Sequence, residues 1–238
     1  MTLTPDRPGI SCLGRSNGNG QRPPTFRTIY ADPPWQFANR TGKMAPEHRR
    51  LHRYRTMTIE EICALPVNEI ADTPAHLYLW CPNALLPWGL QVIEAWGFTY
   101  KTHLVWYKIR KDGGPDRRGV GFYYRNVTEL LLLGVRGHLR TFRPARRLPN
   151  ICLTRKREHS RKPDEFYSII ERCSPKPRLE LFARHPRPGW VQWGDEIDLA
   201  GYRPKRLILP YGAVHTPNGP LEPVQGVLAM ERLHARSS

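Results

Sequence analysis

Short apolar runs along the chain alternate with polar segments and predict both strands and helices. Runs typical of strands fall at 26–31, 76–80, 98–109, 127–135 and 178–183. Between them, capping-box spacing at Thr58 predicts a helix towards Ile70. A second helix is expected from Asn83 or Pro87 to Trp96, and a third from Pro163–Glu165 through Cys173. Because strands alternate with helices, we expect an α/β sheet with helices on both faces.

The composition of the two chain ends separates them from a central folded region. Residues 1–24 are rich in Pro, Gly, Ser and Asn and are expected to be a flexible leader, while 201–238 form an extension of uncertain order. The domain is therefore assigned to 25–200. No apolar run has membrane-spanning length and no signal peptide is apparent, so we expect a cytoplasmic protein without a membrane partner. Five cysteines without paired spacing favour reduced thiols and no metal site.

Charge points to a polyanionic partner. The formal net charge is +16, and basic residues concentrate at 40–55 and 138–162. A charge of this sign and size favours nucleic acid, whose phosphates such segments contact without reading sequence. A generally adhesive, solvated basic surface is the alternative interpretation.

The most specific local motif is Asp32-Pro33-Pro34-Trp35, directly after the first strand. Ligands of open α/β sheets bind beyond the carboxyl ends of strands. There a carboxylate and carbonyl groups would hold the N–H groups of an exocyclic amine, because the prolines lack competing N–H donors. A tryptophan adds a face on which a base can stack. The alternative is a turn with a capping Asp and a core Trp.

The chain resembles the MT-A70 family of adenine-N6 methyltransferases over about residues 26–198. The motifs that carry the resemblance occur in the family's order: Tyr30–Trp35, Tyr54–Met57, Leu77–Trp80, Leu132–Gly137, His159–Tyr167, Leu179–Arg184, Gly189-Trp190 and Trp193–Glu196. The resemblance implies a permuted class I (Rossmann-like) S-adenosylmethionine-dependent methyltransferase fold, in which the catalytic motif precedes the cofactor-binding strand.

The resemblance also implies roles for particular residues. The catalytic set would be Asp32, Pro33, Pro34 and Trp35. S-adenosyl-L-methionine would be bound by Asp32, Lys162, Arg184, His185, Arg187, Asp195 and Glu196. The substrate would be contacted by Trp35, Arg53, Tyr54, Arg55 and Arg143.

Some of these residues have simpler interpretations. Lys162 and Arg184 would then be ordinary surface cations, and Asp195-Glu196 an acidic turn. Glu180 would either orient Arg184 or touch a ligand. The sequence also departs from the family pattern, because Asp195 stands where members often carry Asn, and the segment between Arg184 and Trp190 is short and rich in proline.

The resulting functional prediction is methylation of the N6 amine of adenine in DNA. Compactness, and the lack of a recognisable RNA-binding domain, favour DNA over RNA as the nucleic-acid partner. The same chemistry on RNA is an alternative, and so is a catalytically silent nucleic-acid-binding subunit of a methyltransferase complex. A homo- or hetero-oligomer is compatible with each of these functions.

Overall fold

A seven-stranded mixed sheet forms the frame of the protein. The computed structural model describes residues 25–36, 56–116, 121, 123–143, 145–155 and 161–194. Its strands are β1 (Phe26–Ala31), β2 (Ala71–Cys81), β3 (Thr99–Ile109), β4 (Thr128–Arg136), β5 (Ile151–Arg155), β6 (Arg178–Leu181) and β7 (Val191–Trp193). They are arranged in the order β5-β3-β4-β2-β1-β6-β7. Only β4 runs antiparallel to its neighbours in this sheet.

Helices cover both faces of the sheet, as the sequence predicts. The α-helices are α1 (Ile59–Cys63), α2 (Val67–Ile70), α3 (Leu86–Ala95) and α4 (Asp164–Cys173), and 3₁₀ turns occupy Asn83–Leu85 and Ala145–Arg147. Helices α1, α2 and α3 pack on one face, against strand residues such as Leu77 and Leu79. Helix α4 packs on the other face, against Tyr78 and Trp80. Alternate residues of a strand point to opposite faces, which explains why one central strand supplies both cores.

Local signals in the sequence determine where three helices begin. Thr58 forms the predicted capping box with Glu61, each binding the other's backbone N–H. Helix α3 has its proline in the first turn, and Gly97 follows its end at φ 79°. Helix α4 begins directly after Pro163, with Asp164 and Glu165 in its first turn.

The structure corrects the prediction of one continuous helix from Thr58 towards Ile70. The helix ends at Cys63 and a second helix begins at Val67, with Pro66 between them. Proline has no N–H to donate, and it disfavours helical geometry at the residue before it.

Two strands were not predicted from the sequence. Strand β5 lies inside the basic stretch 138–162 and is an edge strand whose Ile151 and Leu153 remain exposed, so it lacks a buried periodicity. Strand β7 has only three residues. The leader 1–24 and the extension 201–238 lie outside the described residues. Within the described parts of the chain, no helix is long and apolar enough to cross a membrane.

Candidate active site

The chain segments that carry the predicted site converge at one edge of the sheet. Ala31, the last residue of β1, pairs with Leu79 of β2 and with Leu181 of β6. Asp32 therefore leaves the sheet beside the end of β6, about 150 residues away in sequence. Because β4 runs in the opposite direction, its beginning lies at this edge, where Leu130 pairs with Cys81.

Backbone hydrogen bonds hold the D-P-P-W segment in place. The N–H of Trp35 donates to the carbonyl of Pro33 (2.9 Å), and the N–H of Met57 donates to the carbonyl of Pro34 (2.9 Å). Both proline carbonyls thus accept one hydrogen bond within the protein. Each carbonyl oxygen keeps a second lone pair for a ligand.

Trp35 occupies the position of a core residue. Its side chain is 6% exposed and packs in the core under α1–α3, and its indole N–H donates to the carbonyl of Trp80 (3.0 Å). The expected open stacking face is therefore not found in this structure, because packing and this hydrogen bond occupy the ring. Trp35 thus anchors the D-P-P-W segment to the core.

Four side chains of alternating charge lie in a row at this edge, and we call them the charged chain. Lys162 Nζ lies 3.0 Å from Asp32 Oδ2 and 3.3 Å from Glu129 Oε2. Glu129 also forms a short ion pair with Lys108. The ammonium groups of Lys162 and Lys108 lie over the rings of Trp80 (5.1 Å) and Trp106 (4.7 Å), which adds cation–π attraction.

Mutual attraction keeps Glu129 and Lys162 ionised. Burial pushes the pKa of Glu129 upward, but the Lys162 and Lys108 ammonium groups outweigh burial and hold this pKa at about 2. Burial opposes the charge of Lys162, yet Asp32 and Glu129 raise the pKa of its ammonium above the usual value. Lys162 is thus a fixed cation, and the interpretation of it as a solvated surface lysine does not fit its side chain, which is 17% exposed.

The carboxyl group of Glu180, in β6, has uncharged hydrogen-bond partners. We call Glu180 and these partners the Glu180 network. The hydroxyl of Tyr167 donates to Glu180 Oε1 (2.5 Å), and the amide of Gln192 donates to Glu180 Oε2 (2.6 Å). Burial raises the pKa of Glu180 to about 7, and the charge of Asp32 adds to this effect. Glu180 therefore changes protonation state near neutral pH.

The loop that follows β6 is held in an unusual shape. Phe182 adopts φ 64°, a left-handed conformation that is rare for a bulky residue and that clusters at ligand sites. A Cβ added to Gly194 would lie 2.2 Å from the carbonyl oxygen of Ala183, so only glycine permits this close approach. The loop backbone is thereby fixed on both sides.

Arg187 fastens this loop to α4. Its guanidinium pairs with Glu171 (Nε–Oε1 2.9 Å) and lies 4.2 Å from the ring centre of Tyr167. The indole N–H of Trp190 donates to the same Glu171 oxygen (2.8 Å). The carbonyl of His185 accepts from Gln192 (2.7 Å). Arg187, predicted as a cofactor ligand, is thus engaged by protein groups.

Some of the remaining predicted site residues lie within the described parts of the chain and others lie outside them. Arg184 is partly buried and His185 exposed on the loop after β6, and Arg143 is exposed after β4. Arg53, Tyr54, Arg55, Asp195 and Glu196 lie outside the described residues. Sequence reasoning missed Glu129 and Lys108; an acid at the head of the apolar strand 127–135 was the available signal.

Comparison with known proteins agrees with this arrangement. The MT-A70 family profile matches residues 26–196. An N(6)-adenosine-methyltransferase MT-A70-like protein of Arabidopsis thaliana is 30% identical over 73% of this chain and 24% of its own length. The N(6)-adenosine-methyltransferase catalytic subunit METTL3 of Homo sapiens is 29% identical over 73% of this chain and 28% of its own length.

One relative is of similar size. The type II methyltransferase M.MunI of a Mycoplasma species is 29% identical over 72% of this chain and 78% of its own length. The matched region therefore spans about a quarter of the two adenosine methyltransferases and most of the type II enzyme. With the family profile covering the sheet, the charged chain and the loop after β6, this chain belongs to the MT-A70 family.

Proposed function

We propose that this chain transfers a methyl group from S-adenosyl-L-methionine to the N6 amine of adenine in DNA. The observation that carries the proposal is the 3.0 Å contact between Asp32 and Lys162 at the carboxyl edge of the sheet. Relatives named N(6)-adenosine-methyltransferases support the choice of adenine N6.

The residues at this edge fit the proposed cofactor. The methionine end of S-adenosyl-L-methionine carries an ammonium and a carboxylate, and Asp32 and Lys162 offer the complementary charges side by side. Arg184 and His185 follow β6, where a ribose would lie. Asp195 and Glu196 come directly after the Gly194 contact and supply acceptors for ribose hydroxyls. The cofactor supplies a methyl group made electrophilic by its sulfonium.

The protein's task is to orient a weak nucleophile. The lone pair of the adenine amine is delocalised into the ring, so positioning and electrostatics must supply most of the acceleration. The carboxylate of Asp32 and the second lone pair of the Pro34 carbonyl would accept the two N–H groups. Lys162, tied to Glu129, would hold Asp32 in place for this role.

The share of each relative that is matched favours DNA as the polymer. The match covers 78% of the type II methyltransferase, against about a quarter of each adenosine methyltransferase. RNA is the second candidate, because those longer relatives are named adenosine methyltransferases and adenosine is a ribonucleoside. A silent subunit is the less favoured function, because the charged chain is intact.

The partners proposed for this function are nucleic acid and another subunit. The net charge of +16 supports binding to phosphates, and counterion release predicts that this binding weakens steeply as salt rises. One relative is named a catalytic subunit, which supports a test of homo- and hetero-oligomers by light scattering. A salt-independent affinity for DNA would contradict the electrostatic part of the proposal.

The test is methyl transfer from radiolabelled S-adenosyl-L-methionine to matched single- and double-stranded DNA and RNA, followed by nucleoside mass spectrometry. We expect N6-methyladenine in DNA. Asp32→Asn should reduce the rate by at least about 100-fold in a protein that still folds, because it removes a charged acceptor. The matched control is Asp72→Asn, at the opposite edge of the sheet, which should retain full activity. Methylation of RNA alone, or full activity of Asp32→Asn, would contradict the proposal.

A further inference from the structure

Two adjacent tyrosines protrude from the connection between β3 and β4. Tyr123 is 95% exposed and Tyr124 is 87% exposed. Other large apolar side chains of the described residues that reach the surface are at most 53% exposed. A tyrosine ring in water gains little stability for the folded protein, so this pair is suited to contact another molecule.

The backbone around the tyrosines forms a tight bend. A Cβ added to Gly121 would lie 1.9 Å from the carbonyl oxygen of Tyr124, so the bend closes only with glycine. Beyond the pair, the side chain of Asn83 donates to the Thr128 hydroxyl (2.9 Å) and carbonyl (3.2 Å). The segment is thus fastened to the end of β2.

The tyrosines lie close to the site along the chain. Thr128 begins β4, and the next residue, Glu129, contacts Lys162, which contacts Asp32. Tyr124 lies five positions before Glu129, a span of at most roughly 18 Å. At a rise of about 3.4 Å per nucleotide, this upper limit corresponds to about five stacked nucleotides.

The surrounding charge suits a polyanion. The connection 110–127 contains two acidic residues against five basic ones: Arg110, Lys111, Arg117, Arg118 and Arg125. Aromatic rings interspersed with cations are the usual surface for single-stranded nucleic acid, where rings stack on bases and cations contact phosphates. A base must also lie in a single strand or be flipped out of its duplex for chemistry at its amine, and in a single strand its neighbours are unpaired as well.

We infer that Tyr123 and Tyr124 form a base-stacking platform for unpaired nucleotides that flank the target adenine. This inference rests on the proposed function and names the substrate contact outside the catalytic edge. The platform increases affinity for the polymer. It leaves the methyl-transfer step and cofactor binding unchanged.

The experiment uses the full chain and a fluorescent single-stranded oligodeoxynucleotide that contains adenines. The double variant Tyr123→Ala/Tyr124→Ala should weaken binding and raise KM for DNA by about tenfold to hundredfold, as expected for one or two lost stacks, with kcat and cofactor affinity unchanged. Tyr123→Phe/Tyr124→Phe should retain affinity within about threefold, because phenylalanine also stacks. Tyr100→Ala is the control, since Tyr100 is 36% exposed near the start of β3, away from the site.

Three results would overturn the inference. The first is unchanged DNA affinity in the double alanine variant. The second is an equal loss in the double phenylalanine variant, which would indicate hydroxyl hydrogen bonds in place of stacking. The third is a changed oligomeric state of the alanine variant by light scattering, which would make the tyrosines a protein interface. If the wild-type chain methylates no polymer, the proposed function fails, whatever these variants show.

Discussion

Glu129 and Glu180 are two carboxyl groups in strands of the same sheet, and their surroundings have opposite effects. Glu129 lies between two lysines, which hold its pKa at about 2. Glu180 accepts hydrogen bonds from a phenol and an amide, and burial raises its pKa to about 7. Burial disfavours the charge of both, so adjacent cations make the difference. Glu129 therefore stays charged at neutral pH, whereas Glu180 titrates near neutrality.

The two groups therefore affect stability in opposite pH ranges. The depressed pKa of Glu129 contributes about 3 kcal/mol above pH 4.5, and this contribution is lost as pH falls towards 2. The raised pKa of Glu180 means that its ionisation destabilises the folded state. Stability from this group is fully present below pH 4.5, and about 3 kcal/mol is lost as pH rises through 7.

The largest effect is expected from breaking the charged chain with Glu129→Gln. Loss of the carboxylate leaves two poorly solvated lysines without their shared partner and should destabilise the protein by about 3 kcal/mol. Activity should fall at least about tenfold, because Lys162 no longer has two anchors. Thermal unfolding and methyl-transfer rates measure both effects. Glu94→Gln, an exposed change on α3, is the control, and an unchanged melting temperature in Glu129→Gln would refute the contribution of the charged chain to stability.

A smaller, pH-dependent effect is expected from Glu180→Gln. The variant cannot ionise, so its stability relative to wild type should rise by up to about 3 kcal/mol between pH 4.5 and 7. A constant cost of about 1 kcal/mol at every pH reduces this gain, because the new amide donor faces the amide of Gln192. Denaturant unfolding of both proteins across this range measures the difference. A difference that stays constant with pH would show that Glu180 does not titrate there.

The smallest effect is expected from Tyr167→Phe. The hydroxyl of Tyr167 stabilises the ionised form of Glu180, so its removal should raise the pKa of Glu180 further and cost about 1 kcal/mol above pH 7. The upper end of the pH range over which stability is lost should lie higher in the variant than in wild type. Tyr100→Phe, at the opposite edge of the sheet, should leave this profile unchanged. A downward movement in Tyr167→Phe would contradict the assigned hydrogen bond.

Much of the fold was predictable from local signals. The capping box at Thr58, the first-turn acids of α4 and the alternation of β3 involve residues close in sequence. The predictions failed where a non-local partner decides the structure. Strand β5 exists because β3 offers it an edge, and β7 because β6 does. Neither pairing produces a hydrophobic periodicity that the sequence would show.

The site shows the same division. Asp32 and Lys162 could be selected from motifs, and the structure brings them together. Glu129 was missed, because an acid at the head of a strand does not reveal the two lysines, 21 and 33 positions away, that the folded sheet places beside it. Trp35 was expected as an open stacking face, but the motif did not reveal the core beneath it.

The pairing of β1 with β6 has a consequence for synthesis. The ribosome makes Asp32 early, while the strand that completes its surroundings emerges about 150 residues later. At 5–20 residues per second, this gap is roughly 8–30 s. Throughout that interval one edge of β1 has no native partner, and Lys162 is made only in its last part, shortly before β6. The surroundings of Asp32 therefore cannot form before β6 has been made, and this delay is when chaperones or strand-swapped neighbours compete for the nascent chain.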